Sequence, residues 1–349
     1  MPLPPLPTAE EMLRPLPTCI TAIEYLLDAQ PDLATVMDAQ LRQASSAMNP
    51  DTVFLNEYVY DSTSTQGHDS LSLYLQALAA FWSAPHASTG ALSVLEAVSQ
   101  QQRVMFALEA DLQLLDARQQ LALAEQAHEK KPGDAQALTA VASLKARLKT
   151  LTEGRHLIEN RILHETSNNA TPPQTVGITL YSTASPDGST PLNGCFILAE
   201  HLHGPRPAVL YTPPFGVEIF EHFSAMENVL RRRLVSGDDK TLLLANVAQR
   251  HRAQASETLR DGQHLRYTPI TGRVFSACLH ALLDQQQADI EQAFSASHST
   301  FDALATKVRS CLALPLNELG YRYKQWLRDL THEALNRAGG RKNRQSSDR

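Results

Sequence analysis

The chain predicts a mostly α-helical α+β fold: a long antiparallel helical hairpin, then a small three-stranded antiparallel meander packed with helices. Three observations carry this. Residues 89–130 contain no proline and a single glycine, Gly90, and are dense in the strong helix formers Leu, Ala, Gln and Glu. "KKPGD" (Lys130–Asp134) breaks that run, and a second helical stretch follows it at once. Beyond residue 174 the apolar period changes from helical to alternating, in three short β-prone runs.

Taken in order, residues 1–88 form an acidic, proline-rich front segment. Its first eighteen residues hold six prolines (Pro2, Pro4, Pro5, Pro7, Pro15, Pro17), which fix φ and remove backbone donors, so an extended or disordered start is expected. A short helix from Ala22 and a second segment from Asp32 follow. Residues 60–70, "YDSTSTQGHDS", read as a loop. "LSLYLQALAAFW" (Leu71–Trp82) lacks a polar face wide enough for an exposed helix and is expected to be buried.

Residues 89–166 are the hairpin. Lys130 sits at the end of the first arm, Pro132-Gly133 supply the turn and Asp134 the next N-cap. Val141, Leu144, Leu148, Leu151, Ile158 and Ile162 mark the apolar seam of the second arm. "SNNATPPQ" (Ser167–Gln174) is a linker. Residues 174–336 hold the sheet and its helices: "VGITLYS" (Val176–Ser182), "CFILAE" (Cys195–Glu200) and "AVLYT" (Ala208–Thr212) are the strands, with turns at "SPDGSTPLNG" and "HLHGPRP". Helices are expected at about 219–235, 238–256, 271–298, 300–313 and 317–336. Residues 337–349, "RAGGRKNRQSSDR", are a basic polar tail expected to be disordered.

At 349 residues the chain is long enough to bury a substantial core. Its net charge of −6 is unevenly placed. Residues 1–90 carry ten acids against Arg14 and Arg42, and the first lysine is Lys130. An acidic front repels phosphate, so nucleic acid is not expected as a partner. No run of about 18 apolar residues predicts a membrane span. The start has neither a basic n-region nor an apolar h-region, so if the protein leaves its cell it is expected to do so by a route that needs no cleaved signal peptide.

Candidate chemistry is sparse. Cys19, Cys195, Cys278 and Cys311 lie far apart with no Cys-x-x-Cys pair, so neither a zinc knuckle nor a disulfide framework is implied. His201 and His203 would share one side of an extended chain, half of a metal site, but no acid or further histidine supports them. "YDSTSTQG" (Tyr60–Gly67) resembles the Ser-Thr-Ser element of mono-ADP-ribosyltransferases. That chemistry also needs a Glu-x-Glu, and the chain has none. "RRR" (Arg231–Arg233) spreads over about 200° of a helix, so one arginine must lay its stem on apolar neighbours, with pairing to Glu218 or Glu227 expected. The nucleophile elbow, the phosphate loop, the dinucleotide fingerprint and His-Glu-x-x-His are all missing. No catalytic, cofactor-binding or metal-binding residue is therefore nominated.

"PAVLYTPPFG" (Pro207–Gly216) is the most conspicuous stretch, and it reads as a strand-to-helix joint. Pro213-Pro214 end the strand, Gly216 turns the chain, and Phe220, Phe223, Met226, Leu230 and Leu234 pack a helix back on the sheet. The order "LNGCFILAE … RPAVLYTPPFGVEIFEHFSAMENVLRRRL … LLLANV", with "RVFSACLHALLDQQQADIEQAF" (Arg273–Phe294), resembles the N-terminal domain of dermonecrotic-toxin-like proteins, large predicted toxins of pseudomonads and relatives. The resemblance covers about residues 90–335 and supplies no catalytic residues. It implies a non-enzymatic helical module of a bacterial toxin or effector, acting in delivery or in binding a host surface or protein partner. An adaptor or chaperone-like protein gripping its partner with the hairpin is the alternative, and an enzyme with an unrecognised site is a third.

Overall fold

The computed structural model describes residues 11, 14, 16–44, 65–86, 92–163, 174–181, 189–235, 237–259, 264–298, 300–313 and 325. The expected helix at 317–336 apart from residue 325, the tail at 337–349, the linker at 167–173 and most of the proline-rich start lie outside these. The helices are α1 (Leu16–Asp28), α2 (Leu33–Ala44), α3 (Thr65–Ser83), α4 (Val94–Lys130), α5 (Ala135–Ile158), α6 (Phe223–Val235), α7 (Asp238–Leu244), α8 (Gln249–Thr258), α9 (Val274–Ser295) and α10 (Phe301–Leu312). The strands are β1 (Gln174–Tyr181), β2 (Thr190–Ala199), β3 (Ala208–Thr212), β4 (Gly216–Phe220) and β5 (His264–Pro269). The fold is mostly α with a small antiparallel sheet, and no helix among the described residues is long and apolar enough to cross a membrane.

The hairpin is built as its punctuation predicts. Ser93 caps α4 in a reciprocal box: its Oγ accepts the Glu96 N–H at 3.2 Å, and Glu96 Oε2 accepts the Ser93 N–H at 3.2 Å. Asp134 caps α5, accepting the N–H groups of Gln136 and Ala137 at 2.9 and 3.3 Å. A single π-helical turn, Glu159–Leu163, ends the second arm. The arms are antiparallel, with Asp111 facing Arg155 near the base and Glu125 facing Lys145 near the turn.

The sheet has five strands rather than three, all antiparallel, in the order β4-β3-β2-β1-β5. Two strands were not foreseen. The end of "GVEIF" (Gly216–Phe220) overlaps the helix expected from about 219, because Phe220 continues the helical spacing of Phe223 and Met226. Instead it pairs with β3, Thr212 opposite Gly216 and Ala208 opposite Phe220, across the Pro213-Pro214-Phe215 turn. "HLRYTP" has only Leu265 and Tyr267 to signal alternation, and it adds to the edge of β1. The expected turn at residues 185–194 is also too long, since β2 begins at Thr190.

Helices cover both faces of the sheet. On one, Val176, Ile178, Leu180, Ile197 and Leu210 meet Phe223, Met226, Leu230 and Leu234 of α6. On the other, Phe196, Leu198, Val209, Tyr211, Val217 and Ile219 meet the proximal hairpin and the start of α9. Antiparallel sheets commonly leave one face wet. Because this one does not, its central strands read as unbroken apolar runs, and Cys195 to Ala199 are all buried. The rings of Phe106, Phe196, Tyr211 and Phe275 form a cluster with centroids 5.1–5.6 Å apart.

Helix α3 corrects another expectation. It starts at Thr65, inside the expected loop, and it is buried along one side only: Tyr74, Leu78 and Trp82 are covered while Leu73 is exposed. Tyr74, Leu33, Met37 and Ile290 form a separate core with Phe301, Leu304 and Val308 of α10. The helix from Ala22 begins earlier, at Leu16, and the expected segment 238–256 divides into α7 and α8.

Candidate functional site

The "PAVLYTPPFG" corner is a joint, but between two strands. Gly216 takes φ 69°, in the left-handed region where glycine is favoured, and starts β4 rather than a helix. The polar groups around it have structural duties. Glu218 accepts two hydrogen bonds from Arg233, at 2.5 and 2.8 Å, tying β4 to the end of α6. That pairing raises the Arg233 pKa, and the same guanidinium lies 4.2 Å over the Phe215 ring. His222 Nδ1 accepts the Ala225 N–H at 3.1 Å at the start of α6. The arginine run is thus divided: Arg233 is clamped, Arg231 pairs with Glu227 at 3.0 Å, and Arg232 is exposed.

The histidine pair does not converge. The segment is a turn rather than an extended chain, with His203 at φ 65° and its ring edge-on to Phe223 at 4.7 Å. No group of three or more metal-ligating side chains occurs among the described residues. Cys19, Cys195 and Cys278 are buried and Cys311 half-buried, all as free thiols whose pKa values burial raises, to about 12 for Cys278. Of "YDSTSTQG", residues 60–64 lie outside the described ones, and Thr65 to Gly67 open α3.

Among the described residues two features stand out. The first is the distal arm of the hairpin. From Arg118 to Ala140 no side chain is buried, although α4 alone runs 37 residues, about 55 Å. Leu123 and Leu138 are 67% and 57% exposed. Ala135, Leu138, Ala142 and Ala146 recur at helical spacing on one side of α5, and all four are exposed.

The second is a cavity of about 330 Å3 with mixed lining between α7, α8, α9, α10 and the β3–β4 turn, lined among others by Pro214, Leu242, Asn246, Arg252, Gln285 and Asp289. A bulge in β2 reaches toward it. Gly194 adopts φ 75° beneath Leu282, and the Asn193 side chain donates to Gln285 Oε1 at 3.0 Å. Gln285 in turn donates to the carbonyls of Ala245 and Val247 at 3.0 and 3.2 Å. Asp289 Oδ1 accepts the Gln249 N–H at 2.6 Å; burial raises the pKa of this carboxyl, while that hydrogen bond and Arg252 oppose the shift.

No cavity residue was nominated from the sequence. A faint signal existed: Gln285, Gln286 and Asp289 fall within the apolar stripe of Leu279, Leu282, Ile290 and Ala293, so polar groups had to be buried there. No protein-family model, curated protein or solved structure matches the chain.

Proposed function

We propose that the chain is a non-enzymatic module that binds a protein partner through the distal arm of its hairpin, in the setting of a bacterial toxin or effector. The observation that carries this reading is the stretch from Arg118 to Ala140, which holds no buried residue yet displays Leu123 and Leu138. An arm with that surface costs apolar hydration without contributing to the core, a cost a partner would offset. Its small residues at helical spacing let another helix approach closely, so the partner is a protein presenting a helical apolar face. The toxin setting rests on the resemblance of residues 90–335 to the dermonecrotic-toxin-like N-terminal domain. In that setting the chain is made in the bacterial cytoplasm and exported without a cleaved signal peptide. The adaptor reading uses the same arm and differs in whose protein it grips.

The test places photo-cross-linking residues at Leu123 and Leu138, with exposed Asp302 on α10 as control, in producing bacteria and on exposed host cells. A protein cross-linked only from the arm is identified, purified and titrated against the parent and Leu138→Lys. The expected result is at least tenfold weaker binding with an unchanged melting temperature. Equal cross-linking from Asp302, or binding indifferent to Leu138→Lys, overturns the proposal.

A further inference from the structure

We propose that the outer edge of β5 is a docking site for an extended acidic peptide segment of a partner protein, which adds to the sheet as an antiparallel strand. The first observation is the hydrogen-bonding parity of β5. The Ile270 N–H donates to the Thr175 carbonyl at 2.8 Å, and these two residues continue the β1–β5 register, in which Val176 faces Pro269 and Leu180 faces Leu265. Bonded pairs recur at every second residue of an antiparallel ladder, so Thr268, Arg266 and His264 turn their backbone groups toward β1. Leu265 and Tyr267 turn theirs away from it, and so does Pro269 its carbonyl. The outer row therefore offers two N–H donors and three carbonyls.

That row is open. β5 is the last strand of the sheet, and among the described residues no hydrogen bond fills it. Tyr267 is half-buried, and Arg266, Thr268 and Pro269 are exposed. The opposite edge of the sheet is treated differently, since Gln113 and Arg147 donate to the β4 carbonyls of Val217 and Ile219. Beyond Pro269 the chain is tied down: Arg161 donates to the carbonyls of Ile270 and Gly272 at 3.5 and 3.1 Å. An unpaired row on a firmly held strand is a template for one more.

Charge selects the occupant. Residues 264–273, "HLRYTPITGR", carry Arg266 and Arg273 and no acid, and β1 is uncharged, in a chain whose net charge is −6. Both arginines are exposed. Arg266 lies 4.8 Å over the Tyr181 ring, and neither arginine pairs with a carboxylate among the described residues. In an antiparallel addition the peptide residue opposite Arg266 shares its face, with the two Cβ atoms about 4.5–5.5 Å apart; opposite charges stabilise such a pair and like charges destabilise it. A second copy of the chain would bring two basic edges together, so an acidic partner is the better fit. β5 is not part of the hairpin, so this edge and the proposed binding arm stand or fall separately.

The test titrates the purified full chain into two fluorescent peptides blocked at both ends, Thr-Glu-Val-Glu-Val-Glu-Thr and Thr-Lys-Val-Lys-Val-Lys-Thr, in about 0.1 M salt, which screens charges more than about 10 Å away. The expected result is saturable one-site binding of the glutamate peptide with a Kd below about 1 mM, and at least tenfold weaker binding of the lysine peptide. N-methylation of the two valines, whose N–H groups would face the edge, should weaken binding at least tenfold. Arg266→Glu should reverse the preference between the peptides with the melting temperature held. Amide hydrogen exchange at Leu265 and Tyr267 should be fast in the free chain and slow at least tenfold on binding, while Arg266 and Thr268 are protected in both states. Should Arg266→Glu fail to fold, the N-methylated peptide and the exchange rates still decide. No saturable binding at about 1 mM, equal binding of the two peptides, or a preference that Arg266→Glu leaves unchanged overturns the proposal. So does protection of Leu265 and Tyr267 in the free chain that grows with protein concentration, which would assign the edge to a second copy.

Discussion

The two halves of the α4–α5 hairpin share a background of Leu, Ala, Gln and Glu and are held in opposite ways. Near the base, Phe106, Ala110, Leu114, Leu151 and Ile158 share a core with the sheet, and the hairpin also covers the outer edge of β4: Gln113 Nε2 donates to the Val217 carbonyl at 2.7 Å and Arg147 Nη1 to that of Ile219 at 3.5 Å. Those two carbonyls sit on the free side of an edge strand, where an unprotected row would invite another chain to pair. Near the turn the arms have only each other. Leu, Ala, Gln and Glu make a good helix in either place; whether the helix is core or surface is decided by what stands beside it.

The largest expected difference between the halves is in apolar burial. Phe106, 1% exposed and ringed by Phe196, Tyr211 and Phe275, should lose about 3–5 kcal/mol on Phe106→Ala. Leu123→Ala in the same helix should stay within about 0.5 kcal/mol. Urea unfolding of both variants checks this, and similar losses would mean that the distal arm is covered after all.

A second contrast lies in the ion pairs that join the arms. Arg155 Nε donates to Asp111 Oδ1 at 2.6 Å and Nη2 to Oδ2 at 3.4 Å, with both side chains about three-quarters covered. Asp111→Ala strands a mostly buried guanidinium and should cost about 1–3 kcal/mol, largely preserved in 1 M salt. The Glu125–Lys145 pair is 3.0 Å apart but well exposed, so Glu125→Ala should cost no more than about 1 kcal/mol, and that loss should vanish in 1 M salt. Melts of the two variants at low and high salt separate the cases.

The subtlest contrast comes from one substitution made twice. A Cβ on Gly154 would fall against the Ile219 side chain of β4, so Gly154→Ala should cost about 1–3 kcal/mol despite the better helix propensity of alanine. A Cβ on Gly133, in the turn, meets nothing within 4 Å, and its φ lies outside the left-handed region. Gly133→Ala should therefore be neutral or stabilising by up to about 1 kcal/mol. Opposite signs in thermal melts sharpen the division between the halves; a destabilising Gly133→Ala would break it.

The same division explains which elements were legible. Residues 94–130 announce a helix because nothing in them interrupts one, and Pro132-Gly133-Asp134 announce its turn through local chemistry alone. "CFILA" and "AVLYT" are continuous apolar runs because both their faces are covered. "GVEIF" misled because five residues fit a helical and an alternating pattern equally well. Its partner strand and the capping side chains Gln113 and Arg147 settled the matter, and these lie up to 104 residues away. The short strand β5 is polar on its outer side, with Arg266 and Thr268 exposed, and takes its conformation from β1. The cavity drew least on local signal, since its walls come from residues scattered between Pro214 and Ala313.

The sequence by itself determined the long helical hairpin with its turn at Pro132-Gly133, and three of the runs that are strands. Capping, proline geometry and β-branching act within a few residues and need no distant partner. Only the tertiary structure decided that the sheet has five strands, that the distal arm is bare while the proximal arm is core, and that Arg252 faces Asp289. Those outcomes depend on long-range pairing and burial, where the free energy of a segment is set by the neighbours it is packed against rather than by its own residues.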